Sequence, residues 1–155
     1  MSKTSVRIGV ALAGATFLTL VVAVTVAIAD AQPKPVAGVV NIMAAVNDDK
    51  VGMYSQIKGF CAGNPGKDQA DAFKLMRHRA QVMAECGNVL MSKSPPRGAD
   101  DAAGLAKWKQ HCADYRDLCK KLSKALAMKN AGKASAAIKE LDAQCTKCHD
   151  DHKSL

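Results

Sequence analysis

Close to its C-terminus the chain reads Cys145-Thr146-Lys147-Cys148-His149, a C-x-x-C-H run with six residues after the histidine. Two thiols at this spacing can form thioethers with haem vinyl groups, and the adjacent imidazole can bind the iron. On a helix the two cysteines share a face while the histidine projects from the flank toward the porphyrin centre. Two other chemistries use paired cysteines, and the surroundings fit neither. A thioredoxin-like C-x-x-C follows a strand and opens a helix, whereas this one closes a helical pattern. Zinc takes a second ligand pair at finger-like spacing, which is missing from the sequence. Cys145, Cys148 and His149 are therefore read as the attachment site of one haem, with His149 the proximal ligand of its iron.

The rest of the chain must enclose that group. Its 155 residues suit one domain with one core. Aromatic residues are few while Ala, Lys, Leu and Met abound, so an all-α fold is expected. Four helical segments show hydrophobic spacings of three and four. The first has Val36, Val39, Met43 and Val46, then Met53, Ile57 and Phe60, with a kink or short interruption expected across Asn47-Asp48-Asp49-Lys50-Val51-Gly52. The second follows Asn64-Pro65-Gly66, with Asp68 as N-cap, Asp71 in the first turn, and a seam of Phe73, Met76, Ala80, Met83, Gly87 and Leu90. His78 falls on the opposite, solvated side, and Pro95-Pro96 stops the segment. The third segment is the most regular: Leu105, Trp108, Cys112, Tyr115, Cys119, Leu122 and Leu126. Gly132 is expected to end it in the left-handed conformation. The fourth carries Ala134, Ile138, Leu141, Cys145, Cys148 and His152 on its seam. Short links favour antiparallel neighbours, so the predicted architecture is an antiparallel four-helix bundle.

The other end of the chain is a targeting segment. Lys3 and Arg7 precede an uncharged apolar stretch from Ile8 to Ala29, and Ala29-Asp30-Ala31 supplies a small-x-small cleavage pattern. Residues 1–31 are read as a signal peptide, or as a signal anchor given the length of the stretch; 32–35 form a Pro-containing spacer and 36–155 the helical domain. Export to the periplasm follows, as a soluble protein in preference to a membrane-anchored one. The formal charge is +8; removing Lys3, Arg7 and Asp30 takes away two positive charges and one negative, leaving +7. A basic surface steers acidic partners. Nucleic acid is disfavoured because the basic residues are scattered without aromatic interleaving.

Four cysteines lie outside the motif, and an even number in an exported chain invites disulfides. Matching heights in the bundle brings Cys86 near Cys112 and leaves Cys61 with Cys119; Cys61 to Cys86 would span most of a helix, beyond disulfide reach.

An exported four-helix chain with C-x-x-C-H near the end of its last helix resembles the class II c-type cytochromes, the family of cytochrome c′ and cytochrome c556. Ser94-Pro95-Pro96-Arg97-Gly98, Trp108, Tyr115 and the Cys145 to Lys153 run look like the exported monohaem cytochromes of planctomycete-type bacteria. The chain departs from the family pattern at His152 and Lys153, where an aromatic residue and an arginine are usual.

The group opposite His149 decides what the iron does. At about 1.5 Å per residue, Met43 lies about 10 Å inside its helix start and His149 about 6 Å inside its helix end, so the two are nearly level. The resemblance implies that a first-helix methionine is the sixth ligand, and Met43 is the candidate. Met53 lies about 15 Å further along, Met83 and Met91 belong to a wall helix, and His111 sits on a flank, suited to the surface or a propionate. Arg97, Lys107 and Lys109 are near the haem end. The expected function is electron transfer by a monohaem cytochrome with His149 and Met43 as iron ligands, without enzymatic turnover. Redox proteins with acidic docking faces are the expected partners, and a homodimer is compatible with the family. The alternative is cytochrome c′-like binding of NO or CO at an open distal face. Peroxidase chemistry is disfavoured, because no distal histidine and arginine pair can be placed near the iron.

Overall fold

The computed structural model describes residues 37–95 and 101–152. Among these residues the chain is all α-helical, with five helices: α1 Val39–Asn47, α2 Met53–Ala62, α3 Ala70–Met91, α4 Ala102–Ala127 and α5 Ala131–His152. The export segment, the spacer, Val36, Arg97 and Lys153 lie outside the described residues.

The expected break in the first segment is a full interruption between α1 and α2, and its cause is local. The Asp48 carboxylate accepts the backbone N–H groups of Lys50 at 2.9 Å and Val51 at 2.8 Å, offering the backbone a turn in place of a helix. These bonds hold its carboxyl below the ordinary aspartate range. Gly52 completes the turn, since a Cβ there would fall 2.5 Å from the backbone nitrogen and oxygen of Asp48.

Two expected helix signals move. Asp68 does not cap α3, because the turn through Gly66 and Asp68 uses backbone bonds and delays the helix to Ala70. Gly132 does not end α4. Lys129 takes the left-handed conformation instead, with φ of 50°, and a Schellman pair closes the helix: Asn130 N–H to Ala125 O at 3.1 Å and Lys129 N–H to Leu126 O at 3.0 Å. Asn130 then opens α5, its Oδ1 accepting from Lys133 N–H at 2.9 Å. One asparagine serves both helix ends, which puts Gly132 inside the first turn of α5. At the other end of α4 the Asp101 carboxylate accepts from Gly104 N–H at 2.7 Å.

The most extensive packing joins α3 to α4 and α4 to α5. Contacts along α4 run upward as those along α5 run downward. Lys107 pairs with Asp151, His111 with both Gln144 and Asp151, and Lys121 with Glu140, so these two helices are antiparallel. Helices α3 and α4 are antiparallel as well. Trp108, near the start of α4, donates its Nε1–H to Lys93 O at 2.8 Å and Leu90 O at 3.1 Å, at the end of α3. Gly87 sets their spacing, because a Cβ there would lie 2.9 Å from Cβ of Arg116 and 3.2 Å from Cys112 O.

Apolar side chains form two clusters. The larger one unites Ile57, Phe73, Met83, Leu122, Ile138 and Leu141 with their neighbours from α2 to α5. The smaller holds Val39, Ile42, Leu90, Trp108 and Cys112. Hydrogen bonds from α2 to α5 fasten the larger cluster, with Tyr54 OH donating to Asp142 at 2.5 Å and Lys58 reaching the same carboxylate at 3.1 Å. No described helix is long and apolar enough to cross a membrane.

Candidate functional site

A cleft opens beside the smaller cluster, where helices α1, α3, α4 and α5 come together. It encloses about 410 Å³ of empty volume, part of it open to solvent. Met43, Cys145, Cys148 and His149, the residues selected from sequence, all line it. Its walls are largely apolar and include Leu90, Trp108, Cys112 and Tyr115.

Each side chain arrives there for a local reason. Cys145 and Cys148 are three apart on α5, so one face of the helix carries both. Both are partly buried, while His149 stands exposed at the rim. Among the described residues the His149 ring has no hydrogen-bond partner. Met43 is half-buried on α1, and its sulfur accepts a long contact of 3.8 Å from Asn47 Nδ2. Met53 packs against the larger cluster and Met83 is fully buried within it, so neither reaches the cleft. Met91 packs against the smaller cluster but does not line the cleft.

The thiols are held as neutral groups. Burial pushes Cys145 and Cys148 up to about 11. Cys112 goes to about 12, through burial first and its neighbour Cys148 second. Thiols in that range are mostly protonated near neutral pH. Among the described residues no three His, Cys, Asp or Glu side chains converge as a metal-binding set. Tyr115 adds an unspent donor. Its hydroxyl is buried beside Cys119 without a well-formed hydrogen bond, and burial holds it far above the usual tyrosine range. The cleft thus brings together a neutral thiol pair, an imidazole at its rim, one thioether and apolar walls.

Histidines behind the cleft depart most from expectation. His111 is neither a surface residue nor loosely held: its side chain is 11% exposed and lines the cleft. Gln144 Nε2 approaches its Nδ1 at 2.9 Å and Asp151 Oδ2 lies 2.7 Å from its Nε2. With the amide donating to Nδ1, the neutral ring donates Nε2–H to Asp151. Asp151 in turn receives Lys107 at 2.6 Å, and these two partners, Lys107 foremost, keep its carboxyl below the ordinary range. Buried Gln144, which the sequence pattern left unnoticed, is the residue that fixes His111; its only signal was its place on α5 one turn before Cys148. His152 occupies the expected seam position and is 4% exposed, edge-on to Trp108 and His111, with neither ring nitrogen partnered.

The remaining cysteines correct one expectation. All six are free thiols. Cys86 does pack against the cluster that contains Cys112, as the height match implied. The predicted Cys86–Cys112 bond is nonetheless not made, and Cys61 and Cys119 serve as small apolar core residues.

Comparison with known proteins finds no match among protein-family models, curated proteins or solved structures.

Proposed function

We propose that the chain is an exported monohaem c-type cytochrome that carries electrons, with the haem held in the cleft of α1, α3, α4 and α5. The observation that carries this reading is the convergence on one apolar cleft of Cys145, Cys148, His149 and Met43, residues up to about a hundred positions apart in the sequence. Counting α1 and α2 as one interrupted column, the helices are read as an antiparallel four-helix bundle of the class II cytochrome kind.

Cys145 and Cys148 would hold the macrocycle and His149 would bind the iron, with Met43 facing it from α1. A haem so held supplies an iron that cycles between ferric and ferrous, and a histidine and methionine pair raises its potential. The chain's own work is confinement. Leu90, Trp108 and Tyr115 exclude water, and His111 is held rigidly by Gln144 and Asp151. His111, with Asp151 and the Lys107 paired to it, places a polar edge beside the cleft, suited to propionates.

Expression of the full chain in a host that attaches c-type haem tests this reading. The expected result is a protein that keeps its colour after denaturation and shows a six-coordinate low-spin spectrum unaffected by carbon monoxide. Replacing both Cys145 and Cys148 with Ser should abolish covalent haem, and Met43→Ala should give a high-spin, carbon monoxide-binding form. A colourless wild-type protein would remove the proposal. A wild type that binds carbon monoxide at once would replace electron transfer with gas binding at an open distal face.

A further inference from the structure

A second concavity lies between α3 and α4 and shares no lining residue with the cleft. Along α4, its Ser123 and Lys124 sit about 17 Å beyond Cys112 at the helical rise. The groove encloses about 1110 Å³ including open solvent, and Arg77, Gln81, Lys120, Ser123 and Lys124 bring donors to it against one carboxylate, Glu85. An adjoining depression shares Arg77 and adds Lys74 and Lys129 together with the carboxylate of Asp71.

Unsatisfied donors distinguish this groove from an ordinary solvated basic face. Arg77 Nε is shielded from solvent and has no acceptor. Ser123 is 8% exposed, and its hydroxyl has no hydrogen-bond partner among the described residues. Lys124 has no acidic partner there either. Lys120 reaches Asp117 only at 3.7 Å, a carboxylate that Arg116 already engages at 2.9 Å. Glu85 receives Asn88 Nδ2 at 2.8 Å. A shielded donor such as Arg77 Nε is normally satisfied, and leaving it bare is costly.

We infer that this groove binds a phosphoryl group. A planar guanidinium fork, flexible ammonium groups and a hydroxyl are a donor set that phosphoryl oxygens satisfy. Arg77, Lys120 and Lys124 against the one groove carboxylate, Glu85, leave a positive excess that favours an anionic phosphate, monoester or diester. A carboxylate would meet only part of that set.

The phosphoryl group can come from a soluble ester or from a lipid headgroup, and the test separates them. The full-length protein as isolated is titrated with inorganic phosphate at constant ionic strength, and in parallel sedimented with phosphatidylglycerol or phosphatidylcholine vesicles. Saturable phosphate binding that weakens about tenfold or more in Arg77→Gln, and does not change in Lys139→Gln at an exposed lysine elsewhere, supports the site with a soluble source. Binding to phosphatidylglycerol vesicles alone, lost in Arg77→Gln but kept in Lys139→Gln, supports it with a headgroup source. Absence of saturable binding in both arms, or equal weakening by the two substitutions, overturns it. Circular dichroism checks that Arg77→Gln is folded; if it is not, Lys124→Gln carries the same comparison.

Discussion

Around Phe73, Met83, Leu122 and Leu141 the helices close on one another completely, each of these side chains being within 1% of full burial. Around Leu90 and Trp108, toward the other end of α3 and the start of α4, they leave a cleft. The same helices build both regions, so the difference lies in which side chains their seams present. At the closed end they are large and interlocking. At the cleft end Cys112, Cys145 and Cys148 stand where larger residues would fill the space, and the small cluster has few members. The closed end can therefore carry the stability of the fold while the other end leaves space beside Leu90 and Trp108.

Truncation should show the largest contrast. Phe73→Ala, which opens a cavity among fully buried neighbours, should lower stability by about 3 to 5 kcal/mol in chemical denaturation. Ile42→Ala at the cleft end should cost about 2 kcal/mol in the haem-free chain, since its surroundings are thinner. Equal losses would mean that the two ends are packed alike.

Gly87→Ala tests the boundary between the regions. The added methyl meets Arg116 and the carbonyl of Cys112, so α3 and α4 must part, at a cost of about 1 to 3 kcal/mol. Because Cys112 lines the cleft, the proposed haem site predicts that the same variant also lowers covalent haem per chain.

A smaller change of opposite sign is expected at His152. Its two buried ring nitrogens are unpartnered, and a buried unsatisfied polar group costs about 1 to 3 kcal/mol. His152→Phe keeps a ring against Trp108 and His111 and removes both nitrogens. It should therefore stabilise the haem-free chain by about 1 kcal/mol. A loss of stability would show that the imidazole makes a bond the packing does not reveal.

The smallest effect near neutral pH comes from the thiols. Burial raises Cys112 and Cys119 to about 12 from an ordinary 9.0. A thiol raised in the folded state remains neutral there while its unfolded counterpart ionises, so its contribution is complete below pH 9 and lost between about 9 and 12. Denaturation midpoints should be level up to pH 9 and then fall, and Cys119→Ala should flatten that decline.

Much of the buried face of each helix was legible in the sequence because helical periodicity is a local property. The seam of Phe73, Met76, Ala80, Met83, Gly87 and Leu90 and the seven-residue series from Leu105 to Leu126 need only the repeat of the α-helix. Helix ends were less legible. Asp68 and Gly132 had the right composition for their roles, yet a backbone turn displaced the first, and Asn130 with Lys129 took over the second. Cap propensities state what a residue can do, and neighbouring backbone bonds decide which candidate does it.

The C-x-x-C-H run by itself determined which chemistry to propose, because two thiols three apart and an adjacent imidazole are a spacing read directly from the sequence. Its composition likewise determined that helices would form. Only the tertiary structure decided that Met43 shares a cleft with that motif, that Gln144 and Asp151 pin His111 beside it, and that Arg77, Ser123 and Lys124 line a separate groove. These residues belong to different helices, and the packing of α3, α4 and α5 sets their meeting points; a one-dimensional pattern gives each residue's face but not the height and rotation at which two faces meet.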